Sequence, residues 1–393
     1  LERQYPSSAL VADAYLEMAN TYLADENYQA AIAPLQKVIN NARAAALAPQ
    51  SYLKLGVVYF NLDRSDESLE SFKKLVTGYP NTEESSDAIE YIRNIFIEKQ
   101  KPDEFAAFMK QNGKSITYSE EDSLSFRSPM LRYEAKDWTG ARNGFALYIS
   151  KFPEGRYQIE ANYLTAEIYT AGKALKEALP FYKAVADQAQ NVHAERSTLQ
   201  AARIYYFDLK DYANAEKYFS LLKNIATQQE NKLEAMRGLL RCQFKAQQWK
   251  EAATNAQDLL LEKGIATDDR MMASMVVAKN QQSLNEFDQA IAAYKQVVAA
   301  GKSEYAAESQ YRVAEILLVQ NKSEEAEKAA FEVIKKYGSY EYWVTKSYVL
   351  LGDVYVKQKD WFNAEATFKS IVANAAITEL KNEAQQKLAM VLE

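Results

Sequence analysis

A spacing governs what this chain can fold into. An aromatic or its substitute followed three residues later by a small residue recurs as Tyr28/Ala31, Ser65/Ser68, Trp138/Ala141, Leu175/Ala178, Tyr212/Ala215, Trp249/Ala252, Phe287/Ala290, Ser323/Ala326 and Trp361/Ala364. Successive members stand 36 to 38 residues apart, except for one double-length gap between Ser65 and Trp138. A blurred copy around KPDEFAAFM (101–109) fills that gap, giving ten units. A fixed period of this length is the mark of a stacked array, in which no unit buries its apolar face alone.

Each unit holds two helical patterns. In SYLKLGVVYFNLDRSDESLESFKKLV, Tyr52, Leu55, Gly56 and Tyr59 mark one face of a first helix, and Leu69, Phe72, Leu75 and Val76 mark a second. The polar stretch NLDRSD breaks between them. Strand-like alternation is absent, and prolines such as Pro49, Pro80 and Pro153 fall near helix starts or unit ends. The expectation is an all-α fold. Apolar residues at 48% supply enough core for a chain of 393 residues.

The series Tyr52, Leu55, Gly56, Tyr59, Ser68, Phe72, Pro80 resembles the tetratricopeptide repeat, as do Tyr348, Leu351, Gly352, Tyr355, Ala364, Phe368 and Tyr15, Met18, Ala19, Tyr22, Ala31. That resemblance implies a right-handed superhelical solenoid of about ten helix–turn–helix units. The terminal stretch TELKNEAQQKLAMVLE, with Ile377, Leu380, Ala384 and Leu388 on one face, reads as a C-terminal capping helix. Unit ends such as GYPNTEESSDAI and KFPEGRYQIEAN are similar to repeats of bacterial envelope proteins, among them an outer-membrane-assembly lipoprotein and the periplasmic partner of the Tol–Pal system. The resemblance therefore implies a periplasmic or outer-membrane-associated setting. Tyr5-Pro6 matches Tyr79-Pro80, so Leu1 to Gln4 read as the tail of a helix whose partner lies upstream, where an envelope anchor would also lie.

Helix breakers crowd residues 101–130, and Pro129 falls where neighbouring units carry a small packing residue. An interior proline costs about 3 kcal/mol in a regular helix. The reading is therefore a bend or flexible joint that separates units 1–3 (1–114) from units 4–10 (115–377), with the cap at 378–393.

Catalytic chemistry finds little to work with. Cys242 and His193 are the only cysteine and histidine, which leaves no disulfide, no zinc set and no nucleophile–histidine pair of the usual kind. Cys242 reads as a small buried residue and His193 as a surface or capping residue. Phosphate-cradling glycine motifs are absent among only 12 glycines. Paired carboxylates such as Glu83-Glu84, Glu120-Glu121 and Glu324-Glu325 sit at helix starts, where the helix dipole favours them. No enzyme, cofactor or metal is expected. A net charge of −6 argues against nucleic acid as the main partner, and no apolar run approaches the roughly 18 residues of a membrane span.

Most of the aromatics fall on packing slots: Tyr205, Tyr212, Phe219, Tyr22, Tyr28, Tyr355, Trp361 and Phe368 read as core. Tyr206 and Phe207 lie just past the slot and are free to reach a groove. After the small residue of each first helix come Glu167, Arg203, Arg241, Lys279, Glu315 and Asp353 in succession, with Arg237 and Lys245 on the same helical face as Arg241. Two readings stand. Arg203, Arg237, Arg241, Lys245 and Lys279 form a basic row that receives an acidic peptide or a chain-terminal carboxylate. Alternatively, Glu167 pairs with Arg203 and Lys279 with Glu315 between neighbouring units. The function expected is a protein–protein interaction scaffold in envelope assembly that docks a protein or peptide segment. The second function considered is a ligand- or glycan-binding receptor of the outer membrane, a class that carries its sites on long insertions between repeats.

Overall fold

A computed structural model describes residue 4, residues 8–188 and residues 190–393. Tyr5 and Pro6, on which the reading of the N-terminus rests, lie outside the described residues. Among those described there is no strand; the chain is a series of helices that pack pairwise with their neighbours in sequence. Contacts divide it into two compact units, Leu1–Val185 and Ala186–Glu393.

Unit 1 contains α1 (Ala9–Ala24), α2 (Tyr28–Ile39), α3 (Ala48–Asn61), α4 (Ser65–Gly78), α5 (Glu83–Glu98), α6 (Pro102–Gln111), α7 (Tyr118–Glu134), α8 (Trp138–Lys151), α9 (Gln158–Ala171) and nearly all of α10 (Leu175–Ala186). Unit 2 contains α11 (Ala194–Arg203), α12 (Tyr212–Ile225), α13 (Gln229–Lys245), α14 (Trp249–Leu261), α15 (Thr267–Ser283) and α16 (Phe287–Ala300). It continues with α17 (Glu304–Val319), α18 (Ser323–Lys336), α19 (Glu341–Gln358), α20 (Trp361–Asn374) and α21 (Thr378–Leu392). Odd-numbered helices are the first of each pair and even-numbered ones the second; α21 packs on α19 and α20 through the fully buried Leu380 and Ala384.

The repeat is written into the turns. Each of the ten pairs turns through one left-handed residue: Glu26, Asp63, Gln100, Lys136, Lys173, Lys210, Gln247, Asn285, Asn321 or Lys359. None is glycine, although this conformation costs an L-residue about 1 kcal/mol. In nine turns the next amide bonds to the carbonyl five residues back, as Arg64 N–H does to Tyr59 O at 2.9 Å. This closes the first helix in the manner of a Schellman cap and aims the second back along it. The cap residue that follows often secures the second helix: Asn27, Asp137, Asp211 and Asp360 each accept an amide of its first turn.

Packing explains the small residues. Ala31, Ser68, Ala141, Ala178, Ala215, Ala252, Ala290, Ala326 and Ala364 are all fully buried between paired helices. A Cβ on Gly56 would sit 2.4 Å from the Phe72 ring, and one on Gly352 would sit 2.4 Å from Phe368. The glycines are there because the second-helix phenylalanine lies against the first-helix backbone.

The structure bears on four expectations. The contacts do not divide at 114/115: Phe105, Phe108 and Met109 of α6 share one core with Phe96 of α5 and Leu124 of α7. Pro129 neither ends nor breaks α7, which runs through it. It faces Gly144 of α8, whose missing side chain leaves room for the ring; a Cβ there would lie 2.6 Å from Pro129 Cβ. Prolines are also found inside α2 (Pro34) and α10 (Pro180), so they are not confined to unit ends. Finally, Trp361 is not core: it is 53% exposed, as Trp138 is 47% exposed, because each opens its second helix at the turn edge.

Candidate functional site

The first helices of unit 2 bring charged side chains to a common face. From α11, α13 and α15 a cation reaches a carboxylate of the next first helix. Arg203 Nε lies 3.2 Å from Glu234, and Arg237 lies 3.5 Å from Glu234 and 3.2 Å from Asp269. Arg241 approaches Asp269 only to 3.8 Å. Lys279 meets Glu308 at 2.7 Å, and Arg312 meets Glu308 at 3.5 Å and Glu315 at 2.8 Å. Pairing between neighbouring units therefore exists, but with other partners than the spacing suggested. Arg203 takes Glu234, while Glu167 accepts from Tyr182 Oη; Lys279 takes Glu308, while Glu315 serves Arg312. The acceptors stand about two helical turns nearer the N-terminus of the following helix, a displacement that the sequence period does not encode.

Six cations face four carboxylates in this ladder, so two positive charges remain. They belong to the end formed by Arg241 and Lys245. Lys245 has no carboxylate at ion-pair distance among the described residues; its ammonium lies 5.2 Å from the centroid of the Tyr212 ring. Arg241 shares its one distant carboxylate with Arg237.

Here the structure opens a cavity of about 700 Å³, walled by Tyr206, Arg241, Lys245, Trp249, Lys279 and Tyr305 among others. Phe244 and Arg312 complete its aromatic and cationic lining, and no carboxylate is part of the wall. Four of the residues singled out in the sequence converge on it: Arg241, Lys245, Lys279 and Tyr206. Arg203 and Arg237 remain in the ladder outside the wall. Phe207 is half exposed and packs edge-on against Tyr206 at 4.8 Å without lining the cavity. Sequence reasoning missed Phe244, Trp249, Met272, Tyr305 and Arg312. Trp249 marks the repeat spacing with Ala252, and Tyr305 and Arg312 belong to the next first helix, away from the column of Arg241 and Lys279.

Electrostatics give the cations different standing. Burial pulls the Lys279 ammonium below its ordinary value against the opposing pull of Glu308. Its Nζ lies 4.7 Å from the Phe244 ring centroid and 5.5 Å from that of Trp249, so it is held on all sides. Burial raises the phenols of Tyr206 and Tyr305, and in both Arg241 is the largest opposing influence. Arg241 thus stands near both hydroxyls. The Cys242 thiol, buried just behind, is pushed up to about 12 by its burial and is not a nucleophile at neutral pH.

A larger hollow of about 910 Å³ in unit 1 carries no comparable surplus. Its Lys74 is paired with Glu70 at 2.7 Å, its Asp66 with Lys99 at 2.6 Å, and its Lys73 lies 4.8 Å from the Phe96 centroid. Among the described residues no three His, Cys, Asp or Glu side chains are grouped to hold a metal ion, and no helix is long and apolar enough to cross a membrane.

No curated protein matches the chain in sequence. Among similar solved structures is the TPR domain of P58(IPK), at 14% identity with a TM-score of 0.27, covering 96% of this chain and 98% of that one. Yeast Tom70 is 13% identical with a TM-score of 0.36, covering 100% of this chain and 96% of that one. Pseudomonas aeruginosa pilF is 18% identical with a TM-score of 0.25, covering 57% of this chain and 96% of that one. Family models described as tetratricopeptide repeat match residues 13–43, 50–82 and 278–341. Over those segments the chain carries tetratricopeptide repeats, and ten helix pairs, nine of them with the same turn geometry, follow one another along the described chain.

Proposed function

We propose that this chain is a non-catalytic interaction scaffold that docks an acidic protein segment, internal or terminal, in the unit 2 groove. The observation that carries the reading is the cavity walled by Arg241, Lys245, Lys279 and Arg312 with no carboxylate in the wall. Guanidinium and ammonium groups favour carboxylates, and a guanidinium takes them in a two-pronged geometry. The chain as a whole carries −6, so it repels acidic molecules generally and attracts them at this one patch.

The test is fluorescence anisotropy with a labelled glutamate-rich peptide. Arg241→Glu and Lys245→Glu are expected to weaken binding at least tenfold each, with unchanged helical circular dichroism. Added salt should weaken the wild type in the same direction. Equal affinity for wild type and both variants would sink the reading.

A bacterial-envelope setting is part of this proposal, supported by the aromatic–proline unit ends around Tyr79-Pro80 and Phe152-Pro153. Fractionation of cells expressing the native full-length protein decides it; recovery in the cytosol alone would remove it. The glycan-receptor alternative rests on long insertions between repeats, whereas the described connections between pairs are short, such as 79–82, 226–228 and 301–303, and 40–47 contains a 3-10 turn. No observation favours it.

A further inference from the structure

The groove differs from the rest of the array at one point in the backbone. In nine turns the amide after the left-handed residue bonds five residues back, to Tyr22, Tyr59, Phe96, Arg132, Tyr169, Gln243, Gln281, Leu317 or Tyr355. In the tenth, Asp211 N–H reaches back six residues, to Tyr205 O at 3.0 Å, and Ile204–Leu209 is a π-helical turn. One residue has been inserted between Tyr205 and the left-handed Lys210. Tyr205 keeps the ordinary slot: it is buried and stacks on Tyr218 at 5.6 Å.

Tyr206 is what the insertion displaces. A π-bulge rotates the residues after it out of the helical face they would have occupied, which is why such bulges recur at functional sites. The Tyr206 ring rests edge-on against Tyr212 at 5.3 Å and Phe219 at 6.2 Å, and it forms one wall of the cavity. Tyr305, from α17, is another. The faces of Phe244 and Trp249 are taken by Lys279, so Tyr206, Tyr305 and the Arg241 guanidinium supply the planar groups left for a ligand.

Resting on the acidic-docking reading above, we propose that the inserted residue adds a second requirement: the docked segment carries an aromatic side chain beside its carboxylates. The ring is received by Tyr206 and Tyr305, and the neighbouring carboxylate by Arg241 and Lys245. Charge alone selects any acidic segment, whereas charge with a ring at fixed distance selects few.

Two labelled peptides of equal charge separate the ideas, Glu-Glu-Phe-Glu-Glu and Glu-Glu-Ser-Glu-Glu, each blocked at both ends. Wild type is expected to bind the phenylalanine peptide at least tenfold more tightly. Tyr206→Ser should abolish the preference, so that the two peptides bind alike; Tyr206→Phe should retain it. Tyr305→Ser, on a different helix, should reduce it independently of how the π turn tolerates substitution. If wild type binds both peptides equally, the aromatic requirement is overturned while acidic docking stands. If it binds neither, both fall.

Discussion

Two grooves occupy the same place in the repeat and have opposite character. In unit 1, Leu53 and Val57 of α3 and Asp87, Glu90, Tyr91 and Asn94 of α5 wall a cavity of about 500 Å³ between consecutive first helices. In unit 2 the corresponding face carries Arg241, Lys245 and Lys279 with a ring of aromatics. The frames beneath are alike: a fully buried small residue in the second helix, and a phenylalanine lying on a first-helix glycine, Phe72 on Gly56 in unit 1 and Phe368 on Gly352 in unit 2. Packing dictates the frame and leaves the exposed face of the first helices unconstrained. What distinguishes the units therefore lies on that face.

If the frames are alike, they should fail alike. Phe72→Ala and Phe368→Ala each remove a fully buried ring and expose a glycine-floored cavity, so each should cost about 3–5 kcal/mol. Because a stacked array need not unfold as one, the check is amide hydrogen exchange read separately in the two units. The loss should appear around α3–α4 for Phe72→Ala and around α19–α20 for Phe368→Ala. Tolerance of one but not the other would break the equivalence.

That equivalence explains what could be read from the sequence. Period, helix pairing and the buried small residues were legible because packing repeats them in every unit. The basic row was legible in part, since Arg241 and Lys279 recur at one place in successive units and Lys245 lies one turn past Arg241 on the same face. The ion-pair partners were not, because Glu234, Asp269 and Glu308 sit about two turns earlier in the next helix, and only the stacking offset brings them round. Pro129 read as a breaker because its complement, Gly144, lies on a different helix. The residue count before Lys210 does not say that a π turn lies there or which ring it displaces.

A smaller effect tests the joints between units. Asp122 of α7 is buried and accepts the Arg156 amide at 2.9 Å and Tyr148 Oη at 2.5 Å, fastening the loop after α8. Glu195 of α11 does the same for the loop after α12, accepting Thr227 N–H at 2.9 Å, Thr227 Oγ1 at 2.6 Å and Asn231 Nδ2 at 2.8 Å. Burial alone would raise the Glu195 carboxyl, but these donors hold it down to about 2. A group whose pKa is depressed by folding stabilises above its unfolded value, about 4.3, and loses that contribution as pH falls toward the folded one. Glu195→Gln should cost about 1–3 kcal/mol at pH 7. The cost should shrink between roughly pH 4.5 and pH 2, as followed by urea melts. A cost that stayed constant down to pH 2 would show that shape, not charge, fastens this loop.

The smallest effect is the most discriminating, because it concerns one slot used in two ways. Trp138, Trp249 and Trp361 each open a second helix directly after its cap residue. Trp138 and Trp361 are about half exposed, with Trp138 edge-on to Tyr133 at 5.4 Å. Half-burying an indole against its own turn stabilises by about 1 kcal/mol, well under the cost of emptying the Phe368 site seven residues further along the same helix as Trp361. Trp138→Ala and Trp361→Ala should therefore lower stability by about 1 kcal/mol or less in thermal melts and leave peptide binding unchanged. Trp249 has the same place in its unit, yet it carries Lys279 on its face and walls the cavity. Trp249→Ala should have a similar small effect on stability but a measurable one on acidic-peptide affinity. If all three behaved alike in both measurements, the slot would be a feature of the frame throughout and the groove would end short of α14. If only Trp249 separates binding from stability, the repeat has supplied the same residue at three places and the charges of unit 2 have put one of them to use.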